Sequence, residues 1–284
     1  HVAWNVLLKT AGDPLRAAAV GMSTAALIII PAATIGWLAN GADPIPVQAL
    51  AVGTLSGILE AAYFVLLAAG YRRGDLSVVY PIARGTAPLL AVAIGIFILG
   101  EQLHPEGYIG VTLLLAGMLS LQRPWRFFRR SADGAGWDPA VGFALLTGVM
   151  IAAYSAVDSV GTRLVDPWLY AGLIWASGVF FLWLWILGTR VYRRWTAPDA
   201  EPFNTRMAAT GGLFTLAAYL LILTAFSVAP LTAVAPLRES AIVIASAWGA
   251  LRLREAGGDR GEAARRIGAS ALVVAGSILL ALDG

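Results

Sequence analysis

Nine apolar runs dominate this 284-residue chain, at about 15–38, 46–70, 76–99, 106–121, 139–159, 167–189, 207–228, 231–251 and 265–282. Each is close to the ~20 residues with which an α-helix crosses roughly 30 Å of hydrocarbon. In lipid, backbone polar groups must be satisfied within the segment, so such a chain folds as a bundle of helices. The opening HVAWNVLLKTAG reads as the tail of a further helix whose start is expected upstream. That gives an all-α polytopic membrane protein of ten transmembrane helices, the first truncated. Composition agrees. With 58% hydrophobic and 13% charged residues and a mean hydropathy of +0.74, the chain lies far from a soluble domain, which is about a quarter charged.

The loops set an orientation. Counting the loop after each helix in order, the odd loops carry Lys9, Arg16, Arg72, Arg73, Arg123, Arg126, Arg129, Arg130, Arg190, Arg193, Arg194, Arg206, Arg252, Arg254, Arg260, Arg265 and Arg266; the even loops carry only Arg163. Basic loops stay cytoplasmic, so both termini are expected on the outer side. RPWRFFRR (123–130) mixes Trp and Phe with Arg as an interfacial anchor does. The sequence pI near 9.4 then reflects orientation and not nucleic acid.

The chain also repeats itself. SGILEAAYFVLLAAGYRRGDLSVVYP (56–81) aligns without gaps on GGLFTLAAYLLILTAFSVAPLTAVAP (211–236), placing Pro81 on Pro236, Leu76 on Leu231 and Ser77 on Thr232. IGVTLLLAGMLSL (109–121) matches IGASALVVAGSILL (267–280) with one insertion, and AWN (3–5) matches AYS (153–155). The expected organisation is a first five-helix repeat over 1–121, a basic cytoplasmic linker over 122–138 and a second repeat over 139–284. Five is odd, so the second repeat is inverted. Inverted repeats are the pattern of secondary transporters, whose sites lie near mid-membrane where the repeats meet.

In YPIARGTAPLLAVAIGIFILGEQL (80–103) and its echo APLRESAIVIASAWGALRLREA (235–256), with ten helices in two inverted halves, the chain resembles the EamA-type branch of the drug/metabolite transporter superfamily. The resemblance covers essentially the whole chain; its most specific pieces are the Pro-led fourth and ninth helices followed by GEQL (100–103) and REAG (254–257). It implies a bacterial inner-membrane carrier of amino acids or other small metabolites, often an exporter. It also implies a cavity lined by the 46–70, 76–99, 207–228 and 231–251 spans, with parts of the first and the 139–159 spans. It does not transfer a substrate.

Ionisable residues are expensive in the bilayer and are expected to face a cavity or a partner. Glu60, Arg84, Arg238 and Glu239 lie well inside spans, while Asp158 is nearer an end. Glu60 is about a dozen residues from Arg72, and Arg84 a similar number beyond Arg73, which places both near mid-depth. A Glu60–Arg84 pair is therefore one arrangement. Repeat alignment offers another, because Arg84 falls on Glu239. Arg238 aligns with Ala83 and receives no counter-charge from the repeat. Two readings stand side by side: structural salt bridges that cost a few kcal/mol to break, or a site. In a site, Arg84 or Arg238 would grip a carboxylate or phospho group, and Glu60 or Glu239 would hold an ammonium or carry a coupling proton.

Pro81, Pro88 and Pro236 each delete a helical hydrogen bond, and freed carbonyls at membrane depth need protein or water beside them. Pro81, Arg84, Gly85 and Pro88 share a helix face, so these prolines are candidate hinges at a binding-site wall, with a packing kink as the plainer alternative. Trp4, Asn5, Tyr63, Tyr80, Tyr154, Trp175 and Tyr219 complete the candidate substrate-binding set: rings can stack or hold a cation, although each alone is as compatible with packing. Gly110, Gly117, Gly268 and Gly276 mark close helix seams.

Several chemistries are excluded. The single lysine, Lys9, lies at a membrane edge with no GxxxxGK[ST] around it, which removes an ATP-driven pump and a Schiff base. There is no cysteine, and the two histidines, His1 and His104, sit at span ends, so no enzyme, metal site or cofactor is expected. The sequence reads as a secondary carrier of small zwitterionic metabolites, foremost amino acids, moving them by export or facilitated diffusion through alternating access. Organic cations and drugs, or phosphonates and nucleobases, are the alternatives, and a channel or lipid flippase on the same architecture is a rival. The partners expected are the substrate, the bilayer and a proton as candidate coupling ion, with a monomer compatible with the internal pseudo-symmetry.

Overall fold

The computed structural model describes residues 12–74, 76–122, 139–189, 191–195, 202–238 and 260–283. Its helices are α1 (Pro14–Ala39), α2 (Val47–Arg73), α3 (Leu76–Phe97), α4 (Pro105–Gln122), α5 (Pro139–Gly161), α6 (Pro167–Gly188), α7 (Val191–Trp195), α8 (Thr205–Val228) and α9 (Arg260–Asp283). Residues 231–238 are helical too. Among the described residues no strand occurs, and α1, α2, residues 78–97 of α3, α5, α6 and α8 are long and apolar enough to cross a membrane. The chain is an all-α polytopic membrane protein. Only the five-residue α7 was not anticipated; Tyr192 and Trp195 bring their rings 6.2 and 6.4 Å from Trp183.

Local chemistry sets the helix starts. Pro14, Pro105, Pro139 and Pro167 stand at first positions, where the missing N–H costs nothing. Asp13 caps α1 by accepting the Arg16 N–H at 2.9 Å. The Leu231 and Thr232 N–H groups, at the start of the 231–238 helix, both donate to the Glu101 carboxylate, at 2.7 and 2.9 Å. This is the structural work of the glutamate in GEQL: it satisfies donors that helix geometry leaves open.

The described helices form two compact units. One comprises residues 1–73 and 153–228, the other 74–152 and 229–284, so each draws on both sequence halves. In the first unit, α2 packs on α6 and α8 on α1, and the contacts follow the repeat. A Cβ on Gly57 of α2 would lie 2.6 Å from the Gly178 nitrogen and 2.8 Å from the Ile174 carbonyl of α6. A Cβ on Gly212 of α8, the residue that repeat alignment pairs with Gly57, would overlap the Gly21 backbone of α1. Apolar burial does not drive helices together in lipid, and such small-residue contacts let backbones approach instead. In the second unit α4 and α9 meet similarly: Cβ atoms on Gly110 and Gly117 would lie 2.9 and 2.6 Å from the Gly276 and Ala269 carbonyls. Leu114, Met118 and Val273 fill the core there. Gly268 has no neighbour near its Cβ position and is exposed, so of the four glycines assigned to seams it is the one that does not serve.

Candidate functional site

The first unit gathers a buried group of acids and rings. Ser56, Glu60 and Tyr63 recur at helical spacing on α2, and Tyr154 and Asp158 at i, i+4 on α5, so each set shares a face. Glu60 is 5% exposed and Asp158 fully buried. One oxygen of the Asp158 carboxylate accepts the Ser56 hydroxyl at 2.5 Å and the Tyr170 hydroxyl at 3.2 Å; the other accepts the Tyr219 hydroxyl. A buried carboxylate is tolerated when it is hydrogen-bonded in this way. Asp158 thereby ties α5 to α2, α6 and α8. Glu60 stands one turn after Ser56 on the same face of α2.

Around the acids the rings form a continuous arc. Tyr63 and Tyr154 have centroids 5.8 Å apart, Tyr154 and Tyr219 6.1 Å, and Tyr219 and Trp175 5.5 Å, with the end pairs edge to face. All four are buried. A ring face beside a carboxylate holds a cation well: the π-cloud and the acid attract it together, and loss of water strengthens both. Trp175 Nε1 is buried without a hydrogen-bond acceptor among the described residues. Trp175 also lines a narrow cavity with Gly21, Met22, Phe64, Gly211 and Thr215. Its open core is about 20 Å³, room for one water, so a substrate enters only if side chains or helices move.

The structure thus brings Glu60, Tyr63, Tyr154, Trp175 and Tyr219 together. Tyr80, Arg84, Pro81, Pro88, Pro236 and Arg238 belong to the second unit. There the Arg84 guanidinium lies 5.6 Å from the Tyr80 ring centroid and is 4% exposed. α3 runs on through Pro81 and Pro88 without ending. Arg238 is 9% exposed and has an interaction partner, which corrects the expectation of a cation without one. Trp4, Asn5 and Glu239 lie outside the described residues.

Sequence reasoning passed over Asp158, Ser56 and Tyr170. Distance from the span end demoted Asp158, although it is the sole charged residue of the 139–159 run. Its i, i+4 relation to Tyr154 was the signal that would have found it.

Residues 2–122 match the model of the EamA-like transporter family. Over that stretch the chain is similar to this family. Curated relatives include the spermidine export protein MdtI of Salmonella paratyphi B, Salmonella newport and Salmonella heidelberg, each 37% identical over 70 residues, 25% of this chain. The match spans 64% of the length of those relatives. A solved crystal structure superposes with a TM-score of 0.64 at 21% identity, covering 99% of this chain and 94% of its own. That likeness shows a shared fold.

Proposed function

We propose that this EamA-like chain is a secondary membrane transporter whose substrate carries an ammonium group, and that small organic amines are its first substrate class. The observation that carries the reading is the pairing of Glu60 and Asp158 with the buried arc of Tyr63, Tyr154, Tyr219 and Trp175. Acid and ring faces together select a cation, and the relatives' name, a spermidine export protein, points to the same chemistry. Transport proceeds by alternating access, with Pro81, Pro88 and Pro236 as hinges and Glu60 as the group that exchanges a proton for substrate. The chain sits in a bacterial inner membrane with basic loops cytoplasmic and both termini outside.

Amino acids are the second reading. It is favoured by Trp175 Nε1, a buried donor that a substrate carboxylate could accept from, and by the buried guanidinium groups of Arg84 and Arg238. Flux into proteoliposomes of a labelled polyamine, a monoamine, a panel of amino acids and a phosphonate separates the two. Saturable amine flux that responds to a pH gradient, and loses that response in Glu60→Gln, supports the first reading; saturable amino-acid flux without amine flux replaces it with the second.

A further inference from the structure

Asp158 shares the acid-and-ring wall with Glu60, and its hydroxyl-lined surroundings are those of a second ammonium subsite. The Ser56 hydroxyl that holds it and the Glu60 side chain leave the same face of α2 one turn apart, about 6 Å along the axis. Tyr170 and Tyr219 both donate to Asp158. Tyr219 belongs to the aromatic arc as well. The three hydroxyl groups on Asp158 are acceptors as well as donors. Each can accept from an ammonium N–H while its own O–H stays on Asp158, so the cation binds without leaving a buried donor unpaired.

We propose that Glu60 and Asp158 form a two-carboxylate site for a short α,ω-diamine or the diamine end of a longer polyamine. One ammonium group binds at each acid, and the methylene chain lies along the rings. This inference rests on the amine reading of the first unit. It adds a count of charges and a length: a diamine whose ammonium groups stand about one helical turn apart binds best, and a monoamine of equal length fills only half the site.

Titration calorimetry on the purified wild-type chain, with diamines of increasing methylene count and the matching monoamines, tests it. The expected result is an optimum in diamine length, with the best diamine about tenfold tighter than its monoamine, as one charge-assisted contact allows. Asp158→Asn should remove that tenfold advantage, weakening diamine binding about tenfold more than monoamine binding. Asp158→Glu, which carries the acid one methylene further, should keep the advantage and move the optimum to a shorter diamine. That length shift also serves if Asp158→Asn does not fold. No length optimum in the wild type, or an equal loss of mono- and diamine binding in Asp158→Asn, overturns the two-carboxylate site and leaves the amine reading standing. If the wild type binds neither amine, the amine reading falls and the inference with it.

Discussion

The two compact units bury opposite charges. Among the described residues, the buried charged groups of the first are Glu60 and Asp158, and those of the second are Arg84 and Arg238. The first holds its acids among hydroxyls and four buried rings, whereas in the second Arg84 lies over the Tyr80 ring. Net charge hides this contrast, because two acids and two arginines cancel. What differs is the wall around each pair of charges. A cluster of one sign, walled by groups that complement the opposite sign, reads as a site.

Variants can break this contrast, and the largest effects test the packing beneath it. Leucine at Gly212 would drive its side chain into the Gly21 backbone, and Gly117→Leu would do the same against Ala269 of α9. Each should cost about 3 kcal/mol or more and lower the melting temperature in detergent by many degrees. Gly268→Leu, with open space at its Cβ, should melt like the wild type. Next, Glu60→Gln should cut amine flux about a hundredfold, the scale of losing a buried charged contact, with the melting temperature nearly preserved. Arg238→Gln should leave amine flux within about twofold of wild type; if it abolishes all flux without loss of stability, the second unit holds the substrate. Tyr219→Phe removes one donor from Asp158 and should raise the amine KM roughly tenfold, a loss of ~1.4 kcal/mol. Last, Asp13→Ala removes the α1 cap and a half-exposed 3.1 Å ion pair with Arg72. Its cost should be about 1 kcal/mol in stability, with flux unchanged.

Much of this was legible in the residues, for physical reasons. Bilayer thickness fixes helix length, so among the described residues the apolar runs agree with the helices within a few residues; positions 239–251 of the 231–251 run lie outside them. The Gly57/Gly212 correspondence was visible as a constant offset between repeats, and the structure uses both glycines against equivalent helices. Glu60 stood out because a charge at mid-depth is expensive and must be answered. The partners of such a charge were harder to read. Side-chain hydroxyls reach across helices from positions with no charge, period or repeat to mark them, and Ser56 and Tyr170 were invisible for that reason. Depth counting also misjudged Asp158: a carboxylate near a helix end can be fully buried when neighbouring helices cover it. α7 escaped because five residues carry no periodicity.

The most direct test of the central claim compares the two units in one assay. Flux of a labelled amine would be measured in proteoliposomes holding wild type, Glu60→Gln or Arg84→Gln, each checked for folding. Loss of flux in Glu60→Gln alone is the result that acid-and-ring recognition in the first unit requires. Full flux in Glu60→Gln with loss in Arg84→Gln would contradict it and assign the substrate to the basic unit.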